Sequence, residues 1–453
     1  MDRTLFDYDC AARLFLALGE HWRDSAGYKG IYRPGYSMEE TAAVARVIGE
    51  ASRIGMQCFS DLAGNVYMIL RGANPHAQVI ITGSHLDCVP QGGQYDGPAG
   101  VVGPLAMCSA LVKAQITLPQ DLVVMIIRAE ESPWFAQGSI GSRLATGQFD
   151  TAKFESLSHR EDGKSLSGHM EACGVDTRKL ARGKPLIPLS CVAAFIELHI
   201  EQGPVLHQKH MPVGVVTSNR GSVRIAQVRL RGEGGHTGAV PMELRKDAVR
   251  AAAQFIARFE ASCNALIADG HDLVYTIPVI STGPQASPTT IPPECSFYLE
   301  ARSESEATQA AILTLLDQIK TSVELDYRVE ISMDAPVINK PASMDADIQA
   351  QLTGAAKKAG IDTMAMAAGA SHDAAIFTHA GVPSGMLFVR HEGHSHRHDE
   401  TMELEDLAAC TQVLARFCIE AKSAHAQPFG EALEALGAER IMTQEYDETL
   451  AHG

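Results

Sequence analysis

Two runs of the chain are apolar without a break over the length of a strand: VIIT at residues 79–82 and LVVMII at residues 122–127. A strand with one wet face alternates apolar and polar residues, so an unbroken apolar run must be covered on both faces. Each run is too short for an ordinary helix, and each is closed by glycine or charged residues. Helical periodicity surrounds them, over residues 6–21, 39–54 and 100–114. The second of these opens at Ser37, with Glu39 and Glu40 in its first turn. With Val66–Leu70 and residues 78–82 and 122–128 as strands, this alternation predicts an α/β domain with a mainly parallel sheet.

The pattern changes near Thr217. Residues 223–231 alternate as a strand, and 244–263 read as a helix. Residues 273–282 and 295–302 read as strands, 304–325 as a helix and 328–333 as a last strand. That order, β-α-β-β-α-β, is a ferredoxin-like α+β unit. Beyond Asp334 the α/β character returns, with helices over 344–359, 372–380 and 404–421 and a strand over 385–390. The expected organisation is a discontinuous catalytic domain, residues 1–216 and 335–453, interrupted by an inserted domain, residues 217–334. The tail beyond Ala424 is polar and rich in glutamate.

A net charge of −16 argues against nucleic acid as a partner. No stretch approaches the roughly 20 apolar residues that span a bilayer. Ten cysteines with no CxxC spacing read as reduced, buried thiols. The N-terminus carries Asp2, Asp7 and Asp9 and does not read as a secretory signal, so a cytoplasmic protein is expected.

Open α/β sheets place their sites beyond the carboxyl ends of strands. Four such ends carry metal-type residues here. After the first come His85, Asp87 and, in a glycine loop, Asp96; after the second, Glu130 and Glu131. The third holds Glu197, His199, Glu201 and Gln202, and the fourth has four histidines in eight residues, 391–398. Adjacent carboxylates repel unless positive charge lies between them. One binding metal and the other moving a proton resolves that conflict. Histidines and carboxylates from separate strand ends suit a hydrolytic metal site better than a structural one. Singly, each feature is more often a surface hydrogen bond or a solvated strand end; four together are hard to assemble by chance.

The segments GSHLDCVPQGGQYDG, AEESPWF followed by GSR, LHIEQGPVL, GGHTGAVPMELRKDA, AGASHDA and GHSHRHDE resemble the M20 metallopeptidase superfamily. They are most similar to its amidase/hydantoinase/carbamoylase branch, over residues 10–422. The resemblance implies a metal-dependent amidohydrolase that cleaves the ureido C–N bond of N-carbamoyl-L-amino acids or allantoate-like acids, releasing ammonia and carbon dioxide. It implies two divalent ions per subunit, zinc first, with manganese, cobalt or nickel as alternatives. His85, Asp96 and His199 would hold one ion, and Asp96, Glu131 and His396 the other, with Asp96 bridging. Glu130 would be the general base and acid, and Asp87 would orient His85. His236 would act across a homodimer interface, from a domain that serves dimerisation and closure. Gln202, Arg302, Thr289 and His372 would contact substrate.

The pattern is broken in places. The run Thr289-Thr290-Ile291-Pro292-Pro293 stands where the family usually has Asn-x-Ile/Val-Pro-Gly. Ser132-Pro133-Trp134, Arg390-His391-Glu392 and His398 also depart from it. The rival reading is a dipeptidase or N-acyl amino acid deacylase on the same scaffold.

Overall fold

The computed structural model describes residues 5–25, 27–284, 286–392 and 395–442. The chain divides into two compact units. One comprises Met1–Thr217, Met344–Ala368 and His372–Gly453, and the other Ser218–Ser343 with Gly369–Ser371.

The larger unit is built on a mixed sheet. Its centre is four parallel strands, in the order Ser384–Val389, Val192–Ile200, Val79–His85, Leu122–Ile127. Antiparallel neighbours flank them: Val213–Asn219 beside Ser384–Val389, and Val66–Leu70, Gln57–Ser60 and Glu439–Arg440 beyond Leu122–Ile127. The expected parallel character is therefore confined to the centre. Gln57–Ser60 and Val66–Leu70 are joined by a tight turn in which Asp61 accepts the amides of Ala63 and Asn65, and so close connection forces antiparallel pairing.

Both faces of the parallel strands are covered, as their unbroken apolar runs require. Helices Tyr8–Leu18, Met38–Ile54, Ala99–Lys113, Ala346–Ala359 and Leu404–Glu420 pack one face. On the other face Phe377 of helix Asp373–His379 stacks on Phe195, with ring centroids 3.9 Å apart. Local sequence sets the ends of these helices. Ser37 caps Met38–Ile54 by accepting the Glu40 amide, and Gly55, at φ 91°, ends it in the left-handed conformation.

The smaller unit is a β-α-β-β-α-β unit with antiparallel strand order Val274–Thr276, Glu294–Ser303, Gly221–Arg231, Glu330–Met333. Its helices, Ala248–Ala268 and Glu306–Tyr327, bury Phe255, Phe259, Ile312 and Leu316 against the sheet. Val337–Asn339 pairs with Gly221–Arg231. The single strand expected over 273–282 is two pieces, Val274–Thr276 and Ile280–Ser281, because Pro278 between them has no N–H to give the ladder. The helix expected from 244 starts at Ala248, where the Asp247 carboxylate accepts the Val249 and Arg250 amides. No helix among the described residues is long and apolar enough to cross a membrane.

Candidate metal centre

The carboxyl ends of the four parallel strands lie side by side, and each delivers polar side chains to one place. His85 is the last residue of its strand, and His199 is the last but one of the next. Glu130 and Glu131 follow Leu122–Ile127 by three and four residues, and His396 comes from the segment after Ser384–Val389.

Asp96 sits at the middle. Its Oδ1 lies 3.2 Å from His199 Nε2 and 3.7 Å from His85 Nε2. Its Oδ2 lies 3.4 Å from His396 Nε2, and that nitrogen is 3.7 Å from Glu131 Oε1. Two potential ligand groups thus share one carboxylate, His85–Asp96–His199 through one oxygen and Asp96–Glu131–His396 through the other. His85, Asp96 and His199 are at most 3% exposed, whereas the His396 side chain is 52% exposed. The second group is therefore the one open to solvent.

The local backbone is shaped to this end. Asp87 accepts the amides of Glu130 and Glu131 on its two carboxylate oxygens, each at 3.0 Å. His85 Nδ1 has the Asp87 carbonyl at 2.9 Å, closer than the Asp87 carboxylate at 3.4 Å. His199 Nδ1 is likewise 3.0 Å from the Ile200 carbonyl. A backbone carbonyl on Nδ1 fixes the tautomer that points a bare Nε2 at Asp96. Ala129, Gln202 and His396 are all held at positive φ, a conformation that non-glycine residues keep only where their surroundings enforce it. For Ala129 the enforcing group is buried Glu40, which accepts the Ala129 amide at 2.9 Å and the Arg128 guanidinium at 2.6 Å.

Three further side chains serve the centre, and the sequence motifs gave them no role. Glu400 accepts the Tyr95 and Asp96 amides at 2.6 and 2.9 Å and so holds the loop that presents Asp96. Ser395 donates to Asp96 Oδ2. Ser139 donates to Glu130 Oε1 at 3.0 Å. Glu201, in contrast, is structural: it accepts the Val205 and Leu206 amides at the start of helix Val205–Lys209. Glu197 is tied to Ser84 and to the Ala374 amide.

Electrostatics show what this arrangement demands. Burial raises Asp96, but the imidazoles of His199, His396 and His85 override it and hold its carboxyl well below the usual range. Burial pushes Glu131 well up, helped by the negative charges of Asp96 and Glu130. Glu130 is raised to about 8, by burial first and then by Asp373 and Asp87, against the pull of His85 and the Ser139 hydrogen bond. A buried set of carboxylates pushed upward is one that bound cations would relieve. Asp96 Oδ1 and His199 Nε2 are buried and make no hydrogen bond although they face each other. An ion between them would satisfy both. The donor set of imidazole and carboxylate suits zinc and its neighbours.

The remaining predicted residues fall in two places. Gln202 and His372 lie at the centre. The Gln202 amide donates to Asp96 Oδ2 at 2.7 Å, and the buried His372 ring lies 4.4 Å from that of His199. His236, Thr289 and Arg302 belong to the smaller unit. His236 and Thr289 are both exposed on a short ribbon, Gly235–His236 against Thr290–Ile291, where the Thr237 amide donates to the Thr289 carbonyl. Arg302 is half-buried and donates to Glu300 at 2.9 Å and to the Gly369 carbonyl at 2.8 Å.

Residues 81–420 match the model of peptidase family M20/M25/M40. The chain is 32% identical over 416 residues to an N-carbamoyl-L-amino-acid amidohydrolase of Paenarthrobacter aurescens, covering 90% of this chain and 97% of that protein. It is 29% identical to a ureidoglycolate hydrolase of Oryza sativa, covering 84% of this chain and 78% of that protein. Among solved structures, a hydantoinase/carbamoylase family amidase from Burkholderia multivorans superposes with a TM-score of 0.81 at 26% identity, covering 91% of this chain and 97% of that one.

Proposed function

The chain belongs to peptidase family M20/M25/M40, and on that premise we propose that it is an amidohydrolase cleaving the ureido C–N bond of N-carbamoyl-L-amino acids or allantoate-like acids. The observation that carries this reading is Asp96 shared between two histidine-containing groups, with Glu130 beside them raised to about 8. Similarity to relatives named for ureido substrates selects the bond.

His85, Asp96 and His199 would hold one divalent ion and Asp96, Glu131 and His396 a second, zinc being the first choice for such donors. Bound there, the ions would supply positive charge that polarises the carbonyl and brings water's pKa toward neutrality. Glu130 takes a proton from the attacking water and returns it to the departing nitrogen. Ser139 holds its carboxylate in place for both transfers. Ammonia leaves, and the carbamate loses carbon dioxide to give the free amino acid.

Residues 1–216 and 335–453 carry this chemistry, and 217–334 serve closure and dimerisation. In a homodimer the exposed His236 steadies the carbonyl oxygen in the partner's site. Gln202, His372 and Thr289 line the substrate, and Arg302, oriented by Glu300, receives its carboxylate. Ten cysteines without a disulfide among them support a cytoplasmic setting.

The test is a panel of N-carbamoyl-L-amino acids, N-carbamoyl-β-alanine, allantoate, an N-acetyl amino acid and a dipeptide. Ammonia from a ureido compound is expected. Free amino acid from the acetyl compound or dipeptide alone overturns the reading in favour of a deacylase or peptidase.

A further inference from the structure

A second group of imidazoles and a carboxylate lies in the long connection after the glutamates, apart from the centre described above. His159 and Asp162 occupy a tight turn whose flanks meet at the Ser158–Ser165 bridge, and His169 lies on the following helix, Leu166–Ala172. Asp162 Oδ1 is 3.3 Å from His159 Nδ1 and 3.2 Å from His169 Nε2. One ligand atom from each of the three residues lies within 4.8 Å of the others. Zinc ligands at ~2.0–2.1 Å in a tetrahedron sit roughly 3.3 Å apart, so the two measured separations are those of a metal's own ligands.

Hydrogen bonding sets the tautomers. His169 Nδ1 is 3.3 Å from the Tyr36 carbonyl, which can only accept, so the neutral ring carries its proton on Nδ1 and turns a bare Nε2 to Asp162 at 3.2 Å. The Glu161 amide donates to His159 Nδ1 at 3.4 Å, so that nitrogen carries a lone pair, which an ion would take over from this long hydrogen bond. The Asp162 Oδ1 that both imidazole nitrogens face also accepts the Lys164 amide at 3.1 Å, and the Lys164 ammonium lies 3.4 Å from Oδ2. His159 is 5% exposed and its Nε2 is buried without a hydrogen bond. The two rings lie 4.4 Å apart, too close to favour charging both with protons.

We propose that His159, Asp162 and His169 form a further divalent-metal site of the zinc type, open to water on the exposed Asp162 side. Its place in the fold gives it a structural use. His159 stacks flat on Trp134 at 5.5 Å, and Phe135 meets both histidines edge-on at 5.2 and 5.4 Å. Trp134 and Phe135 follow Glu130 and Glu131 after Ser132 and Pro133, and Trp134 Nε1 donates to the Cys88 carbonyl at 2.7 Å. An ion at this site ties the long connection to the segment that carries the glutamates.

The inference does not depend on the ureido reading, and its test does not use activity. Full-length protein is stripped of metal, equilibrated with Zn2+ and desalted, and bound zinc is counted for the wild type, Asp162→Asn, His169→Gln and His199→Gln. Asp162→Asn and His169→Gln should each lose about one zinc per chain. His199→Gln should lose zinc from the other centre, and its combination with His169→Gln should lose both. Equal zinc in wild type, Asp162→Asn and His169→Gln overturns the proposal. Asp162 is exposed, so its isosteric change decides the matter if His169→Gln fails to fold. In the wild type, added Zn2+ should move the His169 ring proton resonances, and Asp162→Asn should abolish that change; resonances unmoved by Zn2+ in the wild type also overturn the proposal.

Discussion

Glu130 and Glu131 are adjacent, yet their surroundings separate them. Glu131 Oε1 lies 3.7 Å from His396 Nε2, while Glu130 is held by Ser139. Glu130→Gln keeps the shape and removes the proton acceptor. It should bind metal as the wild type does and lose ~10²–10⁴-fold in kcat, read as ammonia release beside a metal count. Glu400 acts at one remove, through the Tyr95 and Asp96 amides. Glu400→Gln should weaken metal binding by ~10–100-fold, as such supporting partners do, measured by competition with a chelator. At this scale the sequence was legible where residue types declare their chemistry. The histidines and carboxylates singled out at strand ends are the ones the structure gathers around Asp96. Glu400 and Ser139 were not legible, because a carboxylate gripping backbone amides, or a serine gripping a carboxylate, looks like any other polar residue until the backbone is placed.

Elements were legible where a cap or a breaker marks them and obscure where pairing decides. Ser37 and Gly55 bound their helix to within a residue of the expectation. Val213–Asn219 and Thr363–Ala368 were not foreseen as strands of the main sheet. Both pair at its flank, where long-range partners and not local periodicity set the conformation. Asp7 shows what a cap adds beyond its own helix. It accepts the Cys10 amide at the start of Tyr8–Leu18, and also Ser109 at 2.5 Å and Lys113 at 2.6 Å from Ala99–Lys113. Burial raises its pKa, but Lys113, Ser109 and the Cys10 amide outweigh that and lower it. A lowered folded pKa gives stability that is present above the unfolded value near 3.8 and is lost as pH falls through the folded one. Asp7→Ala should cost ~1–3 kcal/mol at neutral pH, in urea titrations. The gap between mutant and wild type should close only below about pH 4; a gap that is constant down to pH 2 would deny Asp7 this role.

For the whole molecule, the change of pattern near Thr217 was legible because a β-α-β-β-α-β order differs from alternating helix and buried strand. What the two units do together was not, since that depends on surfaces. The outer edge of the smaller unit's sheet, Val274–Thr276 and Ile280–Ser281, leaves Val274, Val279 and Ile280 exposed. An apolar open edge is a place for a second chain. Ile280→Lys should therefore turn the proposed homodimer into a monomer in sedimentation; an unchanged dimer would put the contact elsewhere. The proposed metal centre that breaks a ureido bond is reached directly by one measurement. Ammonia release from an N-carbamoyl-L-amino acid is followed with protein stripped of metal and then reloaded separately with Zn2+, Mn2+, Co2+ or Ni2+. The prediction is no ammonia from the stripped protein and its return with metal. Ammonia at the full rate without metal, or none with any of the four ions, would contradict it.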